Sequence, residues 1–238
     1  MSSKKTLSGY FVLFIAIVCL AVVKDVRASV INTLVISEVF YDAPGADNEL
    51  EWVELFNGSA ATVVLDDWSL AFGGSSYANA VVALEGSLPP NAYFVIGGPQ
   101  SSMGNGEPIF DQIHNFQPDL QNSGVTADAV ALFNLEAGAV DSSDIPFDAV
   151  IYGTTNSSGL LDNLGRSTTV HVTDVLAGQS IERLSRLAWQ LRNNPQPGTG
   201  FRHATLTPET ETLLLLLTGI AFMAGAGCRS KAIVTTFR

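Results

Sequence analysis

The chain has 238 residues, 47% of them hydrophobic, and its 12 basic and 23 acidic side chains give a formal net charge of −11. That length allows one or two domains with a packed core, but from Ser29 to Gly165 there is no lysine or arginine at all. Because phosphate groups are bound by clustered basic side chains, this composition disfavours nucleic acid and an anionic membrane surface as partners.

The chain begins with the pattern of a secretory signal peptide. Lys4 and Lys5 precede an apolar run, Tyr10–Val23, and a small residue, Ala28, stands where a cleavage site is expected. We predict cleavage between Ala28 and Ser29, because a run of fourteen residues is short of the ~20 that a spanning helix needs. The alternative is an uncleaved anchor.

Short segments rich in β-branched and aromatic residues follow, separated by turn signals. The predicted strands are Thr33–Tyr41, Leu50–Phe56, Thr62–Leu65, Trp68–Phe72, Ala80–Leu84, Ala92–Ile96, Ala129–Phe133, Ala149–Tyr152, Thr168–Val172 and Ser180–Leu184. Strands of this length and spacing predict an all-β sandwich. The long stretch Gly97–Ala127 has no clear periodicity, which predicts a loop that is functional or partly disordered.

The first two predicted strands flank a loop rich in Pro, Gly and Asp. Both of their faces are apolar, which predicts central strands of a two-layer structure. Period-two alternation predicts that one glutamate in each strand shares a face with two large apolar side chains. These sets are Ile36, Glu38 and Phe40 in the first strand, and Trp52, Glu54 and Phe56 in the second.

The same residues resemble the opening signature of lamin-tail domains. Later segments extend the resemblance over residues 33–200. These segments are Leu65–Leu70, Asp128–Phe133, Asp148–Gly153, and a closing motif made of Gly178–Arg183, Trp189 and Pro195–Gly198. The resemblance implies an immunoglobulin-like β-sandwich, the fold of domains in nuclear lamins and in secreted bacterial proteins. It also implies a binding or spacing module rather than a catalytic one.

Acidic side chains cluster around the first two predicted strands. If these strands pair, Glu38 and Glu54 face each other, and the repulsion is relieved by backbone N–H donors, by a raised pKa or by a hard cation. The first interpretation is structural, with the carboxylates fixing a loop. The second is a Ca²⁺ site, for which the candidates are Glu38, Asp42, Asp47, Glu49 and Glu54. The third is the paired acids of a glycosidase-like hydrolase.

Other chemistry has little support in the sequence. There is no phosphate-binding glycine loop, zinc motif or nucleophile elbow. The three histidines are scattered, and the one candidate among them is His114, in the long loop near Asp111 and Asp119. Cys19 and Cys228 both lie outside the predicted domain, which excludes a disulfide framework or a thiolate zinc site within it. The sequence therefore predicts no catalytic residues, and no cofactor other than a calcium ion.

The character of the chain changes at Pro208. Pro208 and Glu209 precede the apolar run Leu213–Gly227, and a basic end follows. This arrangement resembles the PEP-CTERM sorting signal, which implies export and then cleavage by an exosortase-like membrane enzyme. Independently of that family, an apolar run followed by cations is expected to stop in a membrane with the cations cytoplasmic. The alternative is a short anchor that is never cut.

These patterns divide the chain into a signal peptide (1–28), a lamin-tail-like β-sandwich (29–207) and a C-terminal sorting or membrane segment (208–238). We expect a non-catalytic exported protein of the cell surface or of an exopolysaccharide matrix, held transiently in the inner membrane by its C-terminal helix. The expected partners are the secretion machinery, an exosortase-like enzyme, and envelope polysaccharide or another surface protein. The alternatives are a hydrolase that uses carboxylates of residues 38–54 and a Ca²⁺-dependent carbohydrate-binding module.

Overall fold

The computed structural model describes residues 33–122 and 124–199. The predicted signal peptide with its cleavage residues Ala28 and Ser29, and the tail with Pro208 and Glu209, lie outside the described residues. Within the described part of the chain, no helix has the length and apolar character needed to cross a membrane.

The secondary structure is almost entirely β. The strands are β1 Leu34–Phe40, β2 Trp52–Asn57, β3 Val63–Val64, β4 Ser69–Gly73, β5 Val81–Ala83, β6 Ser87–Leu88, β7 Tyr93–Gly97, β8 Gln112–Ile113, β9 Asp128–Phe133, β10 Asp148–Tyr152, β11 Ser180–Ser185 and β12 Ala188–Arg192. Single-turn 3-10 helices lie at Tyr77–Asn79, Met103–Asn105 and Ala137–Ala139.

These strands form two large sheets and one small one. The six-stranded sheet has the order β12-β11-β1-β2-β7-β8 and is antiparallel except for the β7–β8 pair. The four-stranded sheet has the order β10-β9-β4-β5, and β3 pairs with β6. The predicted all-β, immunoglobulin-like sandwich is thus confirmed, with β1 and β2 as central strands whose residues are all buried.

The main hydrophobic core fills the space between the two large sheets. It takes Ile36 and Val53 from the six-stranded sheet, and Leu70 and Val130 from the four-stranded sheet. The stretch Gly97–Ala127, predicted to be a functional or partly disordered loop, also contributes to this core, because Phe116 and Leu120 are buried in it. This stretch is therefore part of the packing that holds the sandwich together.

Some strands differ from the prediction. Thr168–Val172 is not a strand, since it makes only one isolated bridge, between Val172 and Tyr152. The strands β6, β8 and β12 were not predicted. Two of them have two residues each, which is too short for a period-two pattern, and β12 follows its partner after a turn of only two residues.

A β-bulge in β1 corrects the predicted faces of that strand. Ile36 pairs with Leu55, but Glu38 pairs with the next residue of β2, Glu54, so Ser37 is an extra residue. The alternation therefore shifts by one position. Ile36 and Val39 both point into the main core, whereas Glu38 lies on the outer face. The predicted grouping of Ile36 with Glu38 is wrong for this reason, and the predicted grouping in β2 is confirmed.

The outer face of the six-stranded sheet is covered by two segments. Residues 98–110, here called the covering loop, place the Asn105 carbonyl 2.9 Å from the indole Nε1 of Trp52, which donates to it. Residues 193–199, here called the closing segment, run beside this loop. A Cβ on Gly106 would lie 2.6 Å from the carbonyl oxygen of Pro195, so the close approach of the two segments requires glycine.

Trp68 is buried in the main core, as its place in the lamin-tail motif predicted, with 9% of its surface exposed. Its ring meets the Phe147 ring edge-on at 4.8 Å between centroids. We expect Trp68→Ala to lower the free energy of unfolding by about 3 kcal/mol, because it leaves a cavity at the rim of the core. Urea denaturation measures this change, with Trp68→Phe as the conservative control. An unchanged midpoint in the alanine variant would contradict the packing role.

Candidate functional site

The paired glutamates of β1 and β2 lie side by side on the outer face of the six-stranded sheet. Glu38 is opposite Glu54 on one side and opposite Glu182 of β11 on the other. Glu38 and Glu54 are both 0% exposed. The bulge at Ser37 creates this arrangement, because without the extra residue Glu38 would point into the core.

Donors from the strands and from the closing segment bind the two carboxyl groups. The hydroxyl of Ser180 donates to Glu38 Oε1 over 2.5 Å, and the hydroxyl of Ser37 donates to Glu54 Oε1 over 2.6 Å. In the closing segment, the backbone N–H of Gln196 donates to Glu38 Oε1 over 3.2 Å and that of Gly198 donates to Glu54 Oε2. The third carboxylate, Glu182, is paired instead with Arg192.

Burial changes the acid–base chemistry of the pair. Removal from water raises the pKa of Glu38 to about 7 and the pKa of Glu54 to about 8, and the Ser180 and Ser37 hydroxyls offset part of that rise. One oxygen, Glu38 Oε2, has no hydrogen-bond partner among the described residues. The pair therefore carries less than two negative charges near neutral pH, which lets two carboxyl groups share one buried place.

This geometry supports the structural interpretation of the two glutamates. Each carboxyl group accepts a backbone N–H from the closing segment, so the pair holds the end of the domain against its central strands. Sequence reasoning expected carboxylates that fix a loop, but it did not identify residues 193–199 as the segment they fix. Hydrolysis by this pair would need both side chains to reach a substrate, and both are shielded from solvent.

The remaining calcium candidates lie elsewhere. Asp42, Asp47 and Glu49 are half-exposed in the connection between β1 and β2. Glu49 accepts a hydrogen bond of 2.7 Å from Gln100, and Asp42 one of 3.4 Å from Asn122. In residues 33–122 and 124–199, no three or more His, Cys, Asp or Glu side chains are grouped so that they could hold a metal ion.

Thermal unfolding tests the calcium site that the sequence offers as one alternative. We expect the same melting temperature in chelator and in Ca²⁺ on the order of millimolar, the range of weak extracellular sites. The reason is that the proposed ligands are divided between two places. Because a ligand bound only to the native state stabilises it, a melting temperature that rises with calcium would show that a site forms.

A second acidic site lies at the end of the sandwich where β1 ends and β2 begins. A cleft of about 500 Å³ is lined by Asp47, Pro118, Asp119, Leu120, Gln121 and Asn122, and is here called the acidic cleft. Glu51, which is 2% exposed, reaches its wall, since the backbone N–H of Leu120 donates to Glu51 Oε2 over 2.8 Å. Burial raises the pKa of Glu51 to about 9, and the nearby Asp119 and Asp47 carboxylates add to that rise.

Glu51 is a residue whose importance sequence reasoning missed. It belongs to the acidic stretch that drew attention to this region, but it was not among the calcium candidates. Its second oxygen, Oε1, is buried and accepts no hydrogen bond within the described residues. The sequence signal that could have identified this site is a glutamate, Glu51, immediately before a strand that is fully buried. The structure adds Asp119, which the long connection from β7 to β9 brings near Glu51.

The described histidines have structural surroundings. His114 meets the ring of Phe116 edge-on at 5.2 Å, and burial lowers its pKa. His171 accepts a 3.0 Å hydrogen bond at Nδ1 from the backbone N–H of Ile151, at the edge of the four-stranded sheet, and burial lowers its pKa to about 4. His203 lies outside the described residues.

Comparison with known proteins gives a family match and a distant structural likeness. The family model named Lamin Tail Domain matches residues 27–146. No curated protein matches the chain. A crystal structure of a DUF4876 family protein from Bacteroides thetaiotaomicron is similar with a TM-score of 0.37 and 14% identity, over 74% of this chain and 73% of that chain. A similarity of that size carries no information about function.

The family match covers half of the chain and includes the strands β1 to β9. The buried glutamates Glu38 and Glu54 and the core residue Trp68 all fall within it. The strands β10, β11 and β12 follow the matched residues and complete both sheets. The protein therefore belongs to the lamin tail domain family.

Proposed function

We propose that this protein is an exported, non-catalytic interaction or structural module of the cell surface or of an exopolysaccharide matrix. The observation that supports it most is the burial of Glu38 and Glu54. These two acids, which face each other as a hydrolytic pair would, are both 0% exposed and engaged by the closing segment. The excess of acidic over basic residues in the domain favours solubility outside the cell and resists nonspecific association.

Binding and hydrolysis assays on envelope polysaccharide separate this proposal from its rival. The immobilised protein is expected to retain polysaccharide, or another surface protein, without releasing reducing sugar. The matched variants Glu38→Gln and Glu54→Gln keep the shape of the side chains and are expected to retain the same ligand. Sugar release that both substitutions abolish would establish the hydrolase instead. No retention of any envelope component would contradict the interaction role.

The proposal also includes processing of the C-terminal segment. We expect the mature surface protein to lack residues beyond about Glu211, since an exosortase-like enzyme would cut near Pro208 and Glu209 while the apolar run holds the precursor in the membrane. Mass spectrometry of the C-terminal peptide from the surface fraction measures this. Replacing Pro208 and Glu209 by alanine is expected to trap the precursor. An intact Arg238 terminus on the surface protein would show a retained anchor.

A further inference from the structure

The acidic cleft has a chemical counterpart on the same chain. Asn163, Leu164, Ser185, Arg186 and Leu187 surround a hollow of about 430 Å³, and this surface is here called the hairpin patch. Leu164 is 55% exposed and Leu187 is 64% exposed, so two large apolar side chains flank one cation. This combination is typical of a contact surface rather than of a solvated turn.

The charge on this patch is available for a partner. Within residues 33–122 and 124–199, Arg166, Arg183 and Arg192 each pair with a carboxylate. Arg186 is exposed and makes no ion pair with any described residue. Its backbone carbonyl accepts a 2.9 Å hydrogen bond from Arg183 Nη1, which fixes the turn while leaving the Arg186 guanidinium outside.

No lysine or arginine is among the described residues that line the acidic cleft. Asp47 and Asp119 are half-exposed on its lining, and Asp42 lies beside them, bound to Asn122. In addition, Glu51, whose Oε2 accepts from Leu120 of the lining, has a second oxygen, Oε1, that is buried and accepts no hydrogen bond from a described residue. A guanidinium entering from outside would supply positive charge and several N–H donors to the half-exposed carboxylates of Asp47 and Asp119.

The two surfaces lie at opposite ends of the sandwich. The backbone N–H of Gly178, just before β11, donates to the carbonyl of Asp42 over 2.7 Å, so the start of β11 lies at the cleft end. The hairpin patch follows the other end of β11, six residues further along. At about 3.3 Å per residue this is a separation of roughly 20 Å, too far for the patch to reach the cleft of its own molecule.

We propose that copies of this protein associate end to end, with the hairpin patch of one molecule seated in the acidic cleft of the next. Because the two contacting surfaces are different, the interface is heterologous, and every open assembly has a free patch at one end and a free cleft at the other. Such an assembly grows by addition at either end until the rotation between copies closes it into a ring. This association specifies how the protein would serve the proposed structural role, and its biological meaning rests on that proposed function. The contact itself needs no envelope component.

The net charge limits the strength of this contact. Residues 29–207 carry five arginines against 20 acidic residues, so two copies repel each other at long range. At physiological ionic strength the Debye length is about 8 Å, which screens the distant charges but not a seated guanidinium. We therefore place the test at about 0.15 M salt, where the local contact dominates.

Two charge reversals on the full-length chain test the proposal. Arg186→Glu reverses the charge of the hairpin patch, and Asp119→Lys reverses one charge of the acidic cleft. Each variant keeps the other surface intact. In non-ionic detergent, with two affinity tags, wild-type copies are expected to purify together. Each variant mixed with itself is expected to lose about tenfold or more of this association, the effect of one lost contact of about 1.4 kcal/mol.

The mixture of the two variants is the decisive measurement. The intact cleft of Arg186→Glu still accepts the intact patch of Asp119→Lys, so the mixture is expected to regain the association that each variant alone has lost. Glu107→Lys makes the same charge change on an exposed residue outside the cleft lining and is expected to associate as the wild type does. Equal melting temperatures of all variants confirm that each is folded.

Three results would overturn the proposal: association that persists in both variants, a mixture that fails to pair, or wild-type copies that never purify together. The first would assign the contact to another surface, such as the apolar tail. None of these results would bear on retention of envelope polysaccharide, which is measured separately, so failure of the association and failure of the proposed function are distinguishable.

Discussion

Replacing Arg183 by alanine is expected to lower the free energy of unfolding by about 3–5 kcal/mol, because it leaves an uncompensated charge inside the sandwich. Arg183 of β11 and Asp148 of β10 belong to different sheets, and Nη2 of the arginine lies 2.5 Å from Oδ2 of the aspartate. Their side chains are only 1% and 4% exposed. The melting temperature, followed by circular dichroism, is expected to fall by roughly 6–20 °C.

The pair also satisfies the backbone at the bulge of β1. The N–H of Ile36 donates to Asp148 Oδ2 over 2.8 Å, and the carbonyl of Ile36 accepts from Arg183 Nε over 2.6 Å. The guanidinium carbon lies 4.1 Å from the ring centre of Trp189, a cation–π contact that holds the group in place. Loss of Arg183 thus affects a strand that lies between β11 and β2 in the six-stranded sheet.

A double variant distinguishes loss of the charge from loss of packing. Arg183→Met together with Asp148→Leu removes both charges and keeps most of the volume, so it is expected to recover part of the stability that Arg183→Ala loses. Arg186→Ala is the exposed control and is expected to change stability by less than about 0.5 kcal/mol. A melting temperature of Arg183→Ala equal to that of the wild type would contradict the role of the pair.

Raising the pH from 6.5 to 9 is expected to lower the free energy of unfolding by about 6 kcal/mol. Burial raises the pKa of Glu38, Glu54 and Glu51 to about 7, 8 and 9 from an ordinary value of 4.5. In this window the folded protein binds more protons than the unfolded chain, so stability falls as the pH rises. His171, whose pKa is lowered to about 4, acts in the opposite direction, but its effect is largely complete at its ordinary value of 6.5, where the window opens.

Urea denaturation at several pH values measures this effect. Glu51→Gln and Glu54→Gln replace an acid by a neutral amide of the same shape, and each is expected to reduce the pH dependence and to be more stable than the wild type at pH 9. Glu136→Gln, on an exposed residue, is expected to leave the dependence unchanged. A wild-type protein with equal stability at pH 6.5 and pH 9 would show that the three carboxyl groups are ionised in the folded state.

The fold was predictable because its strands carry strong local patterns. The two central strands combine β-branched and aromatic residues on both faces, and the motifs up to Phe133 lie within the residues that the family model matches, 27–146. The bulge at Ser37 was not predictable, since it results from pairing with β2 and not from a local pattern. Its consequence, that Glu38 faces outward and Ile36 inward, needed the strand register.

The candidate sites were predictable only in part. The sequence identifies an acidic region, and it correctly predicts that Glu38 and Glu54 meet if their strands pair. It does not show that Gln196 and Gly198 supply their donors, because those residues are more than 140 positions away in the chain. The acidic cleft was missed for the same reason, since Asp119 reaches Glu51 through a connection without periodicity.

The long-range pairing of β1 also determines when this domain can fold. The hydroxyl that Ser180 donates to Glu38 comes from 142 positions later, and the Gly198 donor to Glu54 from 144 positions later. As the chain emerges from a ribosome or a translocation channel, β1 can pair early with β2. Its other edge stays unpaired until β11, near the end of the domain, has also emerged. Contacts of such large sequence separation form slowly. A chain stalled before Ser180 would expose the edge of β1 that β11 later covers. An unpaired strand edge can pair with another chain, so a chaperone that binds this edge would prevent aggregation.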